Sequence, residues 1–416
     1  MASVKIQVSA KHLKLGMFVA ELDRPWLGTP FLFQGFRLRT IEEIEKIQSL
    51  CDSVLVDPEK SAKTPLAYTQ QPVPSKDAKR QHYDMSASFE DEILVANEIR
   101  ADTENCLGHV FDDVTSGRMI DLVTVKRTIS DTVDGILRNP DAHVSLTQLK
   151  EWDNYTAQHS INVCILALAF ARHIGLPRHE MEMLGAGALL HDIGKLKTPL
   201  DVLNKPDKLT PEEFKIMQSH PVHGRELLAE RYGLPHQVAD MAFSHHERIA
   251  GGGYPRGLTG AQISIWSKMV AIVDVYDAIS SDRCYHKGMS PTEALTKMYG
   301  WRLKDFDAEL LEKFIQCIGI YPVGTLVELT SGEVGIVISV NPTSRLKPKI
   351  DLILNEKKQP YFPSRVVNLE EFKSTDPSNT YAIKEVLTPG AYNINMREHL
   401  APIQAAKSKL ILPQTG

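Results

Sequence analysis

The residues Leu189-Leu190-His191-Asp192-Ile193-Gly194-Lys195 constrain this chain more than any other stretch. They close an apolar run, Met183-Leu184-Gly185-Ala186-Gly187-Ala188, with an imidazole, a carboxylate and an ammonium group. In a helix of ~3.6 residues per turn, Leu184, Ala188, His191, Asp192 and Lys195 share one face. A face that is apolar and then ionisable is costly to bury unless something compensates. A metal ion is the commonest compensation for an adjacent His and Asp. A structural His–Asp pair would account for the same two residues, so the choice falls to the other histidines.

At 416 residues the chain has room for about two or three domains and a large core. Its 43% hydrophobic and 24% charged residues point to an ordinary globular protein rather than a disordered one. A net charge of -5 carries no global signal for a nucleic-acid polymer or an anionic membrane. The longest apolar run, Val163 to Ala171, is about half the ~18 residues a spanning helix needs. Met1-Ala2-Ser3-Val4-Lys5 lacks the apolar core of a signal peptide. The cysteines at 51, 106, 164, 284 and 317 form no CxxC pair, which argues against a zinc knuckle or a disulfide framework. A cytoplasmic protein is the expectation.

The expected architecture is mainly α, a helical bundle with a small N-terminal α/β unit and a short C-terminal β appendage. Residues 1–60 form the α/β unit: Phe31-Leu32-Phe33 and Phe36-Arg37-Leu38 are strand-like, Ile41 to Leu50 is an amphipathic helix, and Ser53 to Asp57 is a strand. Residues 61–84, with Pro65, Pro72 and Pro74, read as a linker. Residues 85–141 read as a helical connector, with helices over about 86–108 and 115–137 and a stop at Asn139-Pro140-Asp141. Packing or homodimerisation is its expected role. Residues 142–320 are helical, punctuated by prolines, and hold the chemistry. Alternation through Val327, Leu329, Val334, Ile336 and Ile338, and again through Ile350, Leu352 and Leu354, marks the β appendage over 321–370. Residues 371–416 read as an extended tail.

The helical region supplies further donors. His159 shares a stripe with Asn162, Val163, Leu166 and Phe170, so it points inward near a helix start. A lone inward histidine is usually a satisfied core residue. His220 precedes Pro221, which suits a helix opening, and therefore sits where a side chain can project into a cleft. His245 and His246 close a helix whose inward stripe is Val238, Met241, Ala242 and His245; at ~100° per residue, both can face one cavity. Asp274 follows Val270-Ala271-Ile272-Val273, where a surface charge is a poor explanation. His223 reads as solvated. Together His159, His191, Asp192, His220, His245, His246 and Asp274 offer nitrogen and oxygen donors, too many for one four-ligand zinc site. Two divalent ions of iron or manganese type, bridged by a carboxylate, suit them better. Metal pairs ~3.5–4 Å apart are a recurrent device for hydrolysing phosphate esters.

His191-Asp192, preceded by His159 and followed by Asp274, resembles the HD superfamily of metal-dependent phosphohydrolases. The stretch His245-His246-Glu247-Arg248-Ile249-Ala250-Gly251-Gly252-Gly253-Tyr254-Pro255 is similar to the signature of its HD-GYP branch. So are Leu190 to Lys195, and Ala271 to Ala278 with Asp282-Arg283. The N-terminal unit resembles the small domain of unknown function often found before HD-GYP domains. The resemblance spans about residues 142–320 and implies an HD-type helical bundle. It implies a phosphodiesterase that opens cyclic di-GMP to pGpG, and often onward to GMP. Carried over by motif, all seven donors are metal ligands and Asp192 is the bridging carboxylate. Lys195 would hold a phosphate oxygen, and Arg283 and Lys287 would contact phosphates or guanine. Tyr254, in a Gly253-Tyr254-Pro255 loop at the pocket rim, would contact substrate, and the same loop is the expected seat of a protein partner. Two positions depart from the pattern. Tyr155 stands where some members carry a glutamate that supports a third metal, so two ions are expected here. Ala250 stands where an acidic or amide residue commonly precedes the glycines.

The expected chemistry is attack by a hydroxide bridging the metals on a phosphodiester phosphorus, in line with the leaving 3′ oxygen. Asp192 would orient the metals, while Lys195 and the metals neutralise charge on the phosphoryl oxygens. Glu247 reads either as a support behind the ligands or as a helix-terminal salt bridge, and Tyr285 as a guanine stack or a core aromatic. Two rivals stand beside this reading. One is an HD phosphohydrolase acting on a different cyclic dinucleotide. The other is a catalytically weak cyclic di-GMP sensor or protein-interaction module.

Overall fold

Antiparallel pairing organises the N-terminal unit. The computed structural model describes residues 5–24, 35–38, 41–58, 60–61, 81–148, 155–281, 288–341, 344, 346–372, 381–388 and 390–394. Strands β1 (Ile6–Ser9), β2 (Phe18–Leu22) and β3 (Phe36–Arg37) precede helix α1 (Ile41–Leu50) and strand β4 (Ser53–Val56). The sheet order β1-β4-β2-β3 inserts the last strand into the middle, with Val56 opposite both Ile6 and Val19. Ile47 of α1 joins Ala10, Leu13, Val19, Leu38, Val54 and Val56 in a small core. β1 and β2 were not expected from the sequence; at 4 and 5 residues, they are too short for alternation to stand out. Phe31 to Phe33 lie outside the described residues, as do Pro65, Pro72 and Pro74.

The helical body follows as α2 (Phe89–Thr115), α3 (Leu122–Arg138), α4 (Pro140–Leu146), α5 (Tyr155–His173) and α6 (Arg178–Leu190). It continues with α7 (Leu200–Leu203), α8 (Pro211–Met217), α9 (His220–Arg225), α10 (His236–Ser244), α11 (Ile265–Ser280), α12 (Pro291–Gly300) and α13 (Ala308–Ile318). Pro140, Pro211, Pro221 and Pro291 all sit in first turns, where the missing N–H would have no helical partner. Asn139 ends α3 and also caps α4, accepting from the Asp141 N–H. The stop expected there is thus also a start, and α4 is a helix the sequence reading did not include.

α5 is the centre of the bundle. Every residue from His159 to Ala171 is buried, as suits a helix that is apolar nearly all round. α2, α3, α6, α11 and α13 pack against it, and Leu166, Phe170, Leu184, Met241, Val270 and Phe314 belong to one continuous core. Gly187 lets α10 close on α6: a Cβ at that position would lie 2.0 Å from Met241 Cε. The ends of α6 and α10 are thereby brought side by side. No helix among the described residues is long and apolar enough to cross a membrane.

The last unit is a five-stranded antiparallel sheet of β5 (Leu326–Leu329), β6 (Val334–Ser339), β7 (Lys349–Leu354), β8 (Pro360–Asn368) and β9 (Ile383–Val386), in the order β8-β7-β6-β5-β9. Its first hairpin turns at Ser331-Gly332, where Gly332 has φ 84°. β9 falls in the stretch read as an extended tail. It pairs with β5, Val386 opposite Val327, because Ile383 and Val386 both have apolar neighbours on the sheet to join.

Candidate metal centre

Five imidazoles and two carboxylates converge where helix ends meet. His159 comes from the first turns of α5, His191 and Asp192 from the end of α6, and His220 from the first residue of α9. His245 and His246 follow directly on α10, and Asp274 lies within α11. His159, His191, Asp192, His220, His245 and Asp274 are buried, and His246 is partly so. His223 instead stands at the surface beside Glu226.

The backbone sets which nitrogen of each ring faces inward. Nδ1 of His191 donates to the Ala188 carbonyl at 2.8 Å, and that of His220 to Met217 at 2.7 Å. Nδ1 of His245 donates to Ala242 at 2.9 Å. In each case the lone pair is left on Nε2, the atom turned toward the carboxylates. His191 Nε2 lies 3.3 Å from Asp192 Oδ2, and His220 and His245 Nε2 lie 3.3 and 3.6 Å from Asp192 Oδ1. His159 differs, since its Nδ1 donates to a side chain, Asp277 Oδ2, at 2.7 Å, and its Nε2 meets Asp274 Oδ1 at 3.1 Å.

The electrostatics follow from burial among like and unlike groups. Burial would raise the Asp192 pKa, but Lys195 and His191 hold it well below the usual carboxylate range. Asp274 is held down against burial by His159 in the same way. Burial, opposed by Asp192, takes His245 down to about 4, and burial with His245 beside it keeps His246 well below the ordinary imidazole value. Those two rings are neutral near pH 7 and present free lone pairs. Burial opposes charge on His159, yet Asp274 and Asp277 outweigh it and raise its pKa to about 9, so its Nε2 carries a proton toward Asp274 that a bound cation would displace.

These residues fit a bound cation. Nε2 of His191 and Oδ1 of Asp192 are buried with no hydrogen-bond partner, a state that costs about 1–3 kcal/mol per group unless a ligand supplies the missing contact. Three sets bring their donor atoms within 4.8 Å of one another: Asp192 with His220, His245 and His246; His159 with His191 and Asp192; and His191 with His245 and Asp274. The first two sets share Asp192. All donors are nitrogen or oxygen, a set that suits iron, manganese and similar divalent ions.

Lys195 arrives by a different route from the one the sequence predicts. α6 stops at Leu190, Asp192 leaves helical geometry at φ -98° and ψ 6°, and Ile193–Lys197 form a 3-10 turn. Lys195 therefore does not share a continuous helical face with Leu184; the turn carries its ammonium back to Asp192 Oδ2, at 2.5 Å. Gly194 makes this turn possible, because a Cβ there would lie 1.9 Å from the His220 carbonyl oxygen. The glycine is the contact point between the His191-Asp192 turn and the start of α9.

Tyr254 stacks on the His246 ring at 4.6 Å between centroids and 29° between planes. Glu247 reaches past the histidine pair to accept the Arg256 and Leu258 N–H groups at 2.8 Å each. It holds the backbone beyond the loop, and Arg256 Nε also lies 3.9 Å from its Oε1, an ion pair of the kind the sequence allowed. Arg283, Lys287 and Tyr285 lie outside the described residues, as does the side chain of Tyr155. Sequence reasoning gave no role to Asp277 or Asn162. Both carried a signal: Asp277 stands three residues after Asp274 on the same helix, and Asn162 interrupts the apolar stripe of His159.

Three family models match the chain: an HD domain over residues 138–310, a domain of unknown function (DUF3391) over 5–125, and a KOW domain associated with HD domain over 326–392. The cyclic di-GMP phosphodiesterase PA4108 of Pseudomonas aeruginosa is 35% identical over 379 residues, covering 89% of this chain and 90% of that protein. The 3'3'-cGAMP-specific phosphodiesterase 1 of Vibrio cholerae is 40% identical over 144 residues, covering 35% of this chain and 33% of that protein. Among solved structures, Bd1817, an HDG"Y"P protein from Bdellovibrio bacteriovorus, aligns with a TM-score of 0.46 at 18% identity, over 75% of this chain and 98% of that one.

Proposed function

The chain belongs to the HD-GYP branch of the HD-domain phosphodiesterases, and we propose that it hydrolyses cyclic di-GMP to pGpG and onward to GMP with two divalent ions. His159, His191, Asp192, His220, His245, His246 and Asp274 would hold the ions, with Asp192 common to both. One observation carries this reading. Asp192 belongs to two donor sets at once, and its Oδ1 is buried without a hydrogen bond. A donor set of imidazoles and carboxylates suits iron or manganese.

Bound metal ions would polarise phosphoryl oxygens and lower the pKa of water toward neutrality. The chain's own residues do the rest. Nδ1 bonds to backbone carbonyls hold the rings of His191, His220 and His245 before any ligand arrives, so no reorganisation is needed there. Lys195 stands one-quarter exposed beside Asp192, a fixed positive charge within reach of a phosphate oxygen. Tyr254 covers one face of His246 and offers its ring at the rim of the site. Arg283 and Lys287 would add charge on the substrate side. The substrate assignment is supported by a relative that matches most of this chain and is named for cyclic di-GMP; the relative named for 3'3'-cGAMP matches about a third of it.

The test combines metal analysis of anaerobically purified protein with turnover of cyclic di-GMP and 3'3'-cGAMP, read by chromatography. About two metal ions per chain, with pGpG or GMP formed from cyclic di-GMP, is the expected result. Asp192→Ala should abolish turnover and leave the chain folded. Turnover retained by that variant would overturn the assignment, and tight nucleotide binding without product would replace the hydrolase by a sensor.

A further inference from the structure

We propose that Arg100, on α2 and outside the HD match at 138–310, is a positioning residue for the metal centre, acting on His159 through Asn162 and Asp277. The proposal rests on His159 being a metal ligand, as the functional reading holds. His159 is anchored differently from His191, His220 and His245. His191, His220 and His245 each fasten Nδ1 to a carbonyl three residues back on their own backbone. His159 fastens Nδ1 to Asp277, a side chain on another helix. Its ring orientation therefore depends on that carboxylate.

Asp277 is held in turn. Its Oδ1 accepts from Asn162 Nδ2 at 3.0 Å and from Ser281 Oγ at 3.2 Å. Asn162 is 3% exposed and also directs Nδ2 toward the Thr147 carbonyl at 3.4 Å, so its amide nitrogen faces two acceptors. That leaves Oδ1, which accepts from Arg100 Nη1 at 3.2 Å. A guanidinium has donors and no acceptor, so it selects one of the two amide orientations. The flipped amide would set Oδ1 against the Asp277 carboxylate and its NH2 against the guanidinium. Arg100 thus fixes the amide, the amide fixes the carboxylate, and the carboxylate fixes the ring that offers Nε2 to the metal. Both intermediate residues are buried, where such bonds are strong and a broken one is costly. The start of the relay lies in the connector, so a shift of α2 changes the support of a metal ligand.

The test measures Mn2+ affinity by competition with a fluorescent chelator, using the full chain, for wild type, Arg100→Met, Asn162→Ala and the double variant. Supporting residues of this kind typically change metal affinity 10–100-fold. Each single variant should bind about tenfold more weakly, with unchanged circular dichroism. The double variant should bind no more weakly than Asn162→Ala, since both cut one relay. Wild-type affinity in Arg100→Met would overturn the proposal, and so would losses that multiply to about 100-fold in the double variant, which is what two independent packing defects would give. If Arg100→Met does not fold, Arg100→Gln is read against the same two outcomes. Mn2+ binding by the wild type without cyclic di-GMP turnover would remove the functional reading, while the affinity series would still decide the relay. A wild type that binds no Mn2+ would remove both.

Discussion

Glu247→Gln is a nearly isosteric change with a calculable consequence. The Glu247 side chain is 0% exposed, and its two oxygens separately accept the N–H groups of Arg256 and Leu258 at 2.8 Å. Those amides lie beyond Gly253-Tyr254-Pro255, so one carboxylate ties the far end of the loop to the residue after His246. The near end is equally tight, since a Cβ on Gly253 would lie 2.4 Å from the Arg248 nitrogen. A glutamine keeps one acceptor oxygen and turns an NH2 toward the second N–H, donor against donor. The loss is at least one hydrogen bond to a charged group, about 1.5–3 kcal/mol. At ~1.4 kcal/mol per decade, loop opening becomes roughly 10- to 150-fold more frequent. Amide hydrogen exchange at Arg256 and Leu258 should accelerate by that factor, with protection in α5 unchanged. Because Tyr254 stacks on His246 only while the loop is seated, KM for cyclic di-GMP should rise more than kcat falls. Wild-type exchange rates at both amides would refute the two-donor latch.

Gly194→Ala places a Cβ 1.9 Å from the His220 carbonyl and 2.5 Å from the Gly224 nitrogen, both backbone atoms. It should destabilise the fold by about 3 kcal/mol and weaken Mn2+ binding as His220 is pushed off Asp192; unchanged melting and binding would count against the contact. Stripping the protein with a chelator should lower its melting temperature, and Mn2+ should restore it, by about 4 kcal/mol at a thousandfold excess over Kd; identical melting curves would mean the cluster holds no ion. In the C-terminal sheet, Lys358 and then Lys384 hydrogen-bond to Glu328 and hold its carboxyl at about 2, below the ordinary 4.5. The folded state then binds fewer protons than the unfolded one between those values, so this contribution is full above pH 4.5 and is lost as pH falls through about 2. Glu328→Gln should flatten that part of an acid-unfolding curve, and an unaltered curve would refute the linkage.

Residue type exposed the proposed ligands; it did not expose what orients them. Asp274 was legible because an aspartate after Val270-Ala271-Ile272-Val273 needs a partner, and His220 because Pro221 puts it at a helix start. Local period also located α1 at Ile41–Leu50, whereas α2 runs on to Thr115, past its expected end near 108, and α3 starts at Leu122, after its expected start near 115. The reading fails where a distant backbone decides. Nothing local ends α6 at Leu190; the turn that follows is shaped by Gly194 lying against α9, and that contact redirects Lys195. Glu247 accepts from amides 9 and 11 residues away, and β9 finds its place only by pairing with β5. Arg100 and Asn162 stand 62 residues apart, and no periodicity connects them. A ligand has to be one of a few residue types, so it is visible in one dimension. A supporting side chain needs only a matching donor or acceptor, which many residue types supply, so the fold has to bring the pair together before either has a role.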